Sequence, residues 1–421
     1  MKNKVKEYWK ALGPGLTTGA ADDDPSGIAT YSQVGASHGF SFAWLSLFSF
    51  PLMAVVNEMC ARIGIVTGVG LAENIKRHYS KRVLYFCTFL LVFANVFNIG
   101  ADLGAMGKAT ELLFPKVSFV LLVIFFAVLS LLLQVFVPYK KYSKYLKYLT
   151  FALFTYVLSA ITLSIDWSDV LYHAIVPTMH FNRDEIILVC AVLGTTISPY
   201  LFFWQTSVEV EEQIMKGETT EESRRMNVSS QEISDMRLDV WSGAFVSNLV
   251  MFSIIAVCGA VLFKNGITNI ESAEQAALAL RPFAGEFSYL LFTLGIIGTG
   301  LLAIPVLAGS ASYAVSESLK WTEGLYLDFK QAYSFYGVII AAVLLGIGLN
   351  FIGLDPIKTL IYSAVLNGII APIMIFFILR ISGNSEVMNS YKNNKVTNTI
   401  GWLTFFIMAF VSIFVVVSLV L

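Results

Sequence analysis

The chain carries little charge. Of its 421 residues only 14% are Asp, Glu, Lys or Arg, against roughly 25% in an average soluble domain. That excludes a soluble enzyme of ordinary design. With a formal net charge of −1 it also lacks the basic face that nucleic acid requires. Cysteine and histidine are scarce, four of each. Cys60, Cys87, Cys190 and Cys258 lie far apart in or beside apolar runs, with no CxxC and no metal-ligand spacing, so they read as core residues. His38, His78, His173 and His180 lie in or near loops. No HExxH or Ser-His-Asp arrangement is present, so neither an enzyme nor a resident cofactor is expected. A cleavable leader is not expected either. Basic Met1–Lys10 runs into Gly-Pro-Gly and an acidic cluster rather than an apolar stretch.

Apolar residues, in contrast, make up 56% of the chain and aromatics 14%, too much for disorder. A helical membrane protein fits. With about 20 mostly apolar residues per span, there are about eleven candidates: 12–34, 41–65, 84–106, 117–137, 146–164, 186–206, 238–263, 286–311, 332–351, 357–379 and 399–420. Lys and Arg set the orientation. If the N-terminus is cytoplasmic, 22 of the 28 basic residues fall on the inner side and 6 on the outer. The C-terminus then lies outside. The segment 207–237, rich in Glu209, Glu211, Glu212, Glu218, Glu221 and Glu222, reads as a solvated cytoplasmic loop, or else as a cation attractor at an inner mouth.

Two spans are interrupted. The first contains Asp22-Asp23-Asp24-Pro25-Ser26-Gly27. One Asp at a membrane-helix centre costs roughly 2.5–3.5 kcal/mol on insertion scales. Pro25 removes a backbone donor and biases Asp24 away from helix. A break near Asp24–Gly27 is expected, with freed carbonyls beside a carboxylate. Oxygen donors on unwound backbone suit a hard cation. The bland alternative places the acidic cluster at the membrane surface, with Pro25 opening a new helix. The sixth span carries Gly194-Thr195-Thr196-Ile197-Ser198-Pro199-Tyr200. Interrupted helices at matching places in two halves mark a transporter built from inverted repeats. The expected fold is an all-α polytopic membrane protein with a 5+5 inverted repeat. Residues 1–165 form the first repeat, 166–380 the second, and 381–421 hold one extra helix.

Several motifs make a family resemblance. Gly13-Pro14-Gly15, Asp24-Pro25, Ala29-Thr30, Gln33, Gly35-Ala36, Arg62 to Gly68, Leu71-Ala72-Glu73, Ala101-Asp102 and Pro199 resemble the Nramp family of divalent-metal transporters. The resemblance implies a LeuT-like fold and a metal site at the two breaks. It also shows departures. The family's Asn ligand falls at Gly27, its Met at Ser198, the following His at Tyr200, a second His at Gln205, a third-helix Glu at Ala105 and a tenth-helix Gln at Ala364. A thioether favours soft metals, and its loss, with loss of the amides, leaves oxygen donors and a wider pocket. Mg²⁺ keeps several waters, so this pattern is similar to the Nramp-related magnesium transporters, a branch without strong proton coupling.

The expected metal site is Asp24, Gly27, Thr195 and Ser198, with Asp23, Tyr31, Gln205 and Asn367 as further candidates and Asp102 as a weak proton path. The expected function is import of Mg²⁺, and also Mn²⁺, across the plasma membrane by a monomer. The bilayer and the cation are its partners. Two alternatives stand beside it: a proton-coupled Mn²⁺/Fe²⁺ importer, and a cation-coupled amino-acid transporter on the same fold.

Overall fold

The computed structural model describes residues 13–137 and 154–420. The basic residues at 2–10 and 140–147, and the first part (146–153) of the expected span 146–164, lie outside the described residues.

Helices dominate. In chain order they are α1 (Pro14–Asp22), α2 (Pro25–His38), α3 (Trp44–Thr67), α4 (Leu71–His78), α5 (Lys81–Leu113), α6 (Phe119–Phe136), α7 (Phe154–Thr162) and α8 (Trp167–Ile175). There follow α9 (Arg183–Thr196), α10 (Pro199–Met215), α11 (Glu221–Met226), α12 (Ser230–Val261), α13 (Ser288–Leu319), α14 (Tyr333–Leu349), α15 (Pro356–Ser382) and α16 (Lys395–Val420). Among the described residues, eight helical stretches are long and apolar enough to cross a membrane, and Tyr333–Leu349 is a shorter apolar one. With the pair α1/α2 these make ten, and of the remaining expected span, 146–164, the described residues show α7. The four cysteines are free and buried, as expected.

Both interrupted spans break at proline. α1 ends at Asp22, and Pro25 occupies the first turn of α2. α9 ends at Thr196, and Pro199 opens α10. A proline in a first helical turn loses no bond, because that N–H has no intrahelical partner anyway. The first break is tighter than expected. Helix resumes at Pro25, so Gly27 sits in the first turn of α2 and not in unwound chain.

Packing repeats with a period of five spans. Span 1 (α1/α2) packs on span 7 (α12), and span 6 (α10) packs on span 2 (α3). Span 3 (α5) packs on span 9 (α14), and span 8 (α13) packs on span 4 (α6). Spans 3 and 8 meet each other, as do spans 2 and 7. An odd number of spans per unit turns the second unit upside down relative to the first. The outcome is two groups: spans 1, 2, 6 and 7, and spans 3, 4, 8 and 9. α15 touches both, lying on α9 and on α5.

The segment 207–237 is not a loop. α10 continues to Met215, α11 fills part of the rest, and α12 begins at Ser230. Glu209 and Glu211 are buried. Glu211 accepts from Tyr313 Oη and from the Leu325 N–H, and Gln205 Nε2 donates to Glu209 at 2.8 Å. The same end of the bundle carries further ties. Asp239 of α12 caps α1 by accepting from the Gly15 N–H at 2.7 Å and the Leu16 N–H at 3.1 Å. Glu58 accepts from Arg237 and from Trp241 Nε1, and Glu317 accepts from the Glu73 N–H at 2.8 Å and Ser207 Oγ at 3.1 Å. Arg77 grips Glu221 at 2.6 Å and holds that carboxyl below the usual range.

Close helix contacts rest on glycine. A Cβ on Gly194 would collide with the Ala364 carbonyl and the Gly368 backbone, where α9 meets α15. At Gly295 of α13 nothing lies within 4 Å. Gly194→Ala is therefore expected to lower the thermal midpoint in detergent by more than 5 °C, of the order set by overpacking penalties of about 1–3 kcal/mol. Gly295→Ala is expected to leave it unchanged or raise it. Equal midpoints for the two variants would refute the packing account.

Candidate cation site at the broken helices

The acidic cluster is interior. Asp22, Asp23 and Asp24 are 0%, 0% and 1% exposed, which removes the surface alternative. Asp24 is the N-cap of α2. Its Oδ1 accepts from the Gly27 N–H at 2.6 Å, one of the donors a helix start leaves unpaired. Its Oδ2 accepts from Asn98 Nδ2 of α5 at 2.9 Å. Asn98 Oδ1 in turn accepts from Ser363 Oγ of α15 at 2.9 Å. Ser363 lies 3.1 Å from Ser26 Oγ and 2.7 Å from the Leu360 carbonyl. One polar chain thus links spans 1, 3 and 10.

Asp22 and Asp23 face the other way. Both reach Ser247 Oγ of α12, at 2.7 and 3.3 Å, and the remaining oxygen of each has no partner. Asp102 lies one helical turn beyond Asn98 on α5, is fully buried, and has no side-chain hydrogen-bond partner. The ion pairs found among the described residues involve none of these four carboxylates. Nor do three His, Cys, Asp or Glu side chains of the described residues converge into a metal-holding group. The donors at the break are a mixture of carboxylate, hydroxyl, amide and backbone carbonyl.

The other expected residues divide. Thr195 is close: its Oγ1 would lie 3.2 Å from a Cβ on Gly27, and the Asp22 carbonyl 3.1 Å. This corrects the expectation of open space at Gly27, since the volume an Asn would need is already filled. The Gly27 N–H is spent on Asp24, and its carbonyl is inside a helix rather than freed. Tyr31 is buried, and its Oη is 3.2 Å from Thr196 Oγ1. Ser198 directs its hydroxyl at the Gly194 and Thr195 carbonyls, at 2.6 Å each, and caps the end of α9. It has only lone pairs to offer a cation. Gln205 is not at the break. It lies about 9 Å along α10 from Pro199 and bonds Glu209. Asn367 sits one turn beyond Ser363 on α15, buried, with both polar atoms unpartnered.

Three contributors escaped the sequence reading: Asn98, Ser363 and Ser247. Asn98 and Asp102 stand four residues apart in an apolar helix, as do Ser363 and Asn367. That i, i+4 spacing is the signal that would have found them.

A narrow cleft lies beside the break. It is lined by Ile28, Ala29, Ser32, Ala105, Phe292, Ile296 and Leu360, among others, with no titratable side chain.

A polytopic helical bundle with two spans broken at equivalent positions over buried carboxylates defines a secondary transporter of the LeuT-like class. The family model described as Natural resistance-associated macrophage protein-like matches residues 15–418. The chain belongs to this Nramp family, whose members are transporters and not enzymes. It is 25% identical over 407 residues to the divalent metal cation transporter MntH of Caldanaerobacter subterraneus subsp. tengcongensis, covering 95% of this chain and 91% of that relative. It is 25% identical over 401 residues to the MntH of Klebsiella pneumoniae subsp. pneumoniae, covering 93% and 90%. Its fold matches a crystal structure of the Eremococcus coleocola manganese transporter with a TM-score of 0.77 at 20% identity, covering 97% and 86% of the two chains. It also matches inward-facing Mhp1 with a TM-score of 0.55 at 14% identity, covering 96% and 90%.

Tyr200 ties the two breaks together, since its Oη donates to the Ala21 carbonyl at 2.9 Å. Tyr200→Phe leaves that buried acceptor unpaired, at a cost of about 1–3 kcal/mol. A thermal midpoint several degrees below wild type is expected in detergent. An unchanged midpoint would mean that the carbonyl has another donor.

Proposed function

We propose that this chain imports divalent metal cations, Mg²⁺ foremost and Mn²⁺ also, through the plasma membrane by alternating access around the broken helices. The observation that supports this reading is the group of four buried carboxylates, Asp22, Asp23, Asp24 and Asp102, none of them in an ion pair among the described residues. Buried negative charge without a counter-charge is costly, and a dication supplies the counter-charge. Asp24 is the central ligand, with Thr195, Ser198, Asp23, Tyr31 and Asn367 as neighbours within or beside the same break. Hard oxygen donors throughout suit Mg²⁺ carrying part of its water shell. The membrane potential drives the movement, at about 2.3 kcal/mol per charge per 100 mV.

Coupling to protons is weak in this reading. Ala105 lines the apolar cleft, and no titratable group stands along it to relay a proton. The repeats are 1–165 and 166–380, each giving spans to both packed groups, and the two groups move against each other; 381–421 adds a peripheral helix, and the N-terminus is cytoplasmic. The monomer is the working unit.

A second reading is Mn²⁺ import with proton coupling. It is favoured by the MntH relatives, named as divalent metal cation transporters, and by the matching Eremococcus coleocola manganese transporter. An amino-acid substrate is disfavoured, because its carboxylate would be repelled by four others.

The test is uptake of Mg²⁺ and of Mn²⁺ into proteoliposomes with a pH dye inside. Mg²⁺ uptake without acidification is expected, abolished in a folded Asp24→Ala protein. Mn²⁺ uptake with acidification would establish the second reading. Wild-type uptake by folded Asp24→Ala would remove Asp24 from the site.

A further inference from the structure

Resting on the reading of the break as a divalent-cation site, we propose that Asn98 is itself a ligand, its amide oxygen coordinating the cation beside Asp24 after the amide turns over. Asn98 is 0% exposed. Its Nδ2 points at Asp24 Oδ2 at 2.9 Å and its Oδ1 at Ser363 Oγ at 2.9 Å. An ionised carboxylate only accepts hydrogen bonds, so with no cation present the NH₂ end must face Asp24. A dication placed against Asp24 reverses that preference. It repels the N–H dipole and attracts the amide carbonyl.

Ser363 is suited to both orientations. A hydroxyl donates or accepts. It donates to Asn98 Oδ1 while the site is empty. After the turnover it accepts from Asn98 Nδ2, and its O–H donates to the Leu360 carbonyl, already 2.7 Å away. The Ser363 side thus keeps its hydrogen bond. On the Asp24 side one hydrogen bond is exchanged for coordination.

The site also needs such a donor. The space around Gly27 is taken by the Asp22 carbonyl and Thr195 Oγ1, so no further donor reaches Asp24 from that side. Asn98 brings an amide to the same carboxylate from α5. The two residues belong to the two different groups of spans. A cation held between them bridges the groups, and an empty site is bridged by the Asn98–Asp24 hydrogen bond instead. Either bridge spares the carboxylate from being buried bare.

The experiment is calorimetric titration of the purified full-length protein with MgCl₂, MnCl₂ and CdCl₂. Asn98→Leu is expected to weaken Mg²⁺ and Mn²⁺ binding about tenfold or more, and Ser363→Ala to weaken both by less. Asn98→Cys replaces a hard oxygen by a soft sulfur, and is expected to shift the Cd²⁺-to-Mg²⁺ affinity ratio about tenfold toward Cd²⁺. If Asn98 only props Asp24 in place, Asn98→Cys changes all three affinities alike, and the proposal fails. It also fails if Asn98→Leu binds like wild type while Asp24→Ala does not bind. No binding of any of the three cations to wild type would instead overturn the reading on which the proposal rests. Should the variants misfold, a Mn²⁺-soaked wild-type crystal decides. Manganese within about 2.5 Å of an Asn98 side-chain atom identifies that atom as oxygen, and Asn98 still turned with its NH₂ on Asp24 refutes the turnover.

Discussion

Four carboxylates inside an apolar bundle are the constraint on which the rest of the structure depends. Left bare, each would cost several kcal/mol, so the surrounding chain is arranged to keep them supplied with donors. Asp24 receives a helix-start N–H and an amide, and Asp22 and Asp23 share a hydroxyl. The break in span 1 exists to make this possible. A continuous helix would use the Gly27 N–H internally and would leave Asp24 with one donor fewer. The second break, at Ser198-Pro199, leaves hydroxyls and carbonyl ends beside the first. One oxygen each of Asp22 and Asp23 remains without a hydrogen-bond partner.

The site sits where the two groups of spans meet. Asp24 and Asn98 belong to different groups, and α15 touches both through Ser363. The ties at the basic end, Asp239 on α1, Glu58 on Arg237 and Trp241, and Glu317 on α4 and α10, also join elements distant in sequence. They close one face of the bundle. The cleft beside the break is narrow and apolar. The break thus lies between a polar set of interhelical ties and a narrow apolar cleft.

Much of this was legible in the residues. Pro25 and Pro199 announced both breaks, because proline cannot continue a membrane helix without losing a bond. Asp24 was singled out because a carboxylate beside a break has no structural excuse. Other readings failed for definite reasons. Glu209 and Glu211 looked like a solvated loop, yet they lie on a helix that continues inward and find donors in Gln205 and Tyr313. Gln205 seemed part of the site by its place after Pro199, but the helical rise carries it away. The room inferred at Gly27 was filled by Thr195 from another span. Asn98 and Ser363 each have a polar partner at i, i+4 that marks a polar helix face, but nothing local says what that face meets, and Ser247 lacks even that mark.

Sequence alone determined the class of protein, the number of spans and the two breaks. All of these follow from local rules: hydrophobic length, proline geometry and the cost of charge in lipid. Tertiary structure alone decided which side chains complete the site. Asp24 and Asn98 are 74 residues apart, Asn98 and Ser363 265. Their meeting depends on helix packing, and on glycines that let backbones approach. Such contacts are set by the whole bundle at once, and no single segment of the chain encodes them.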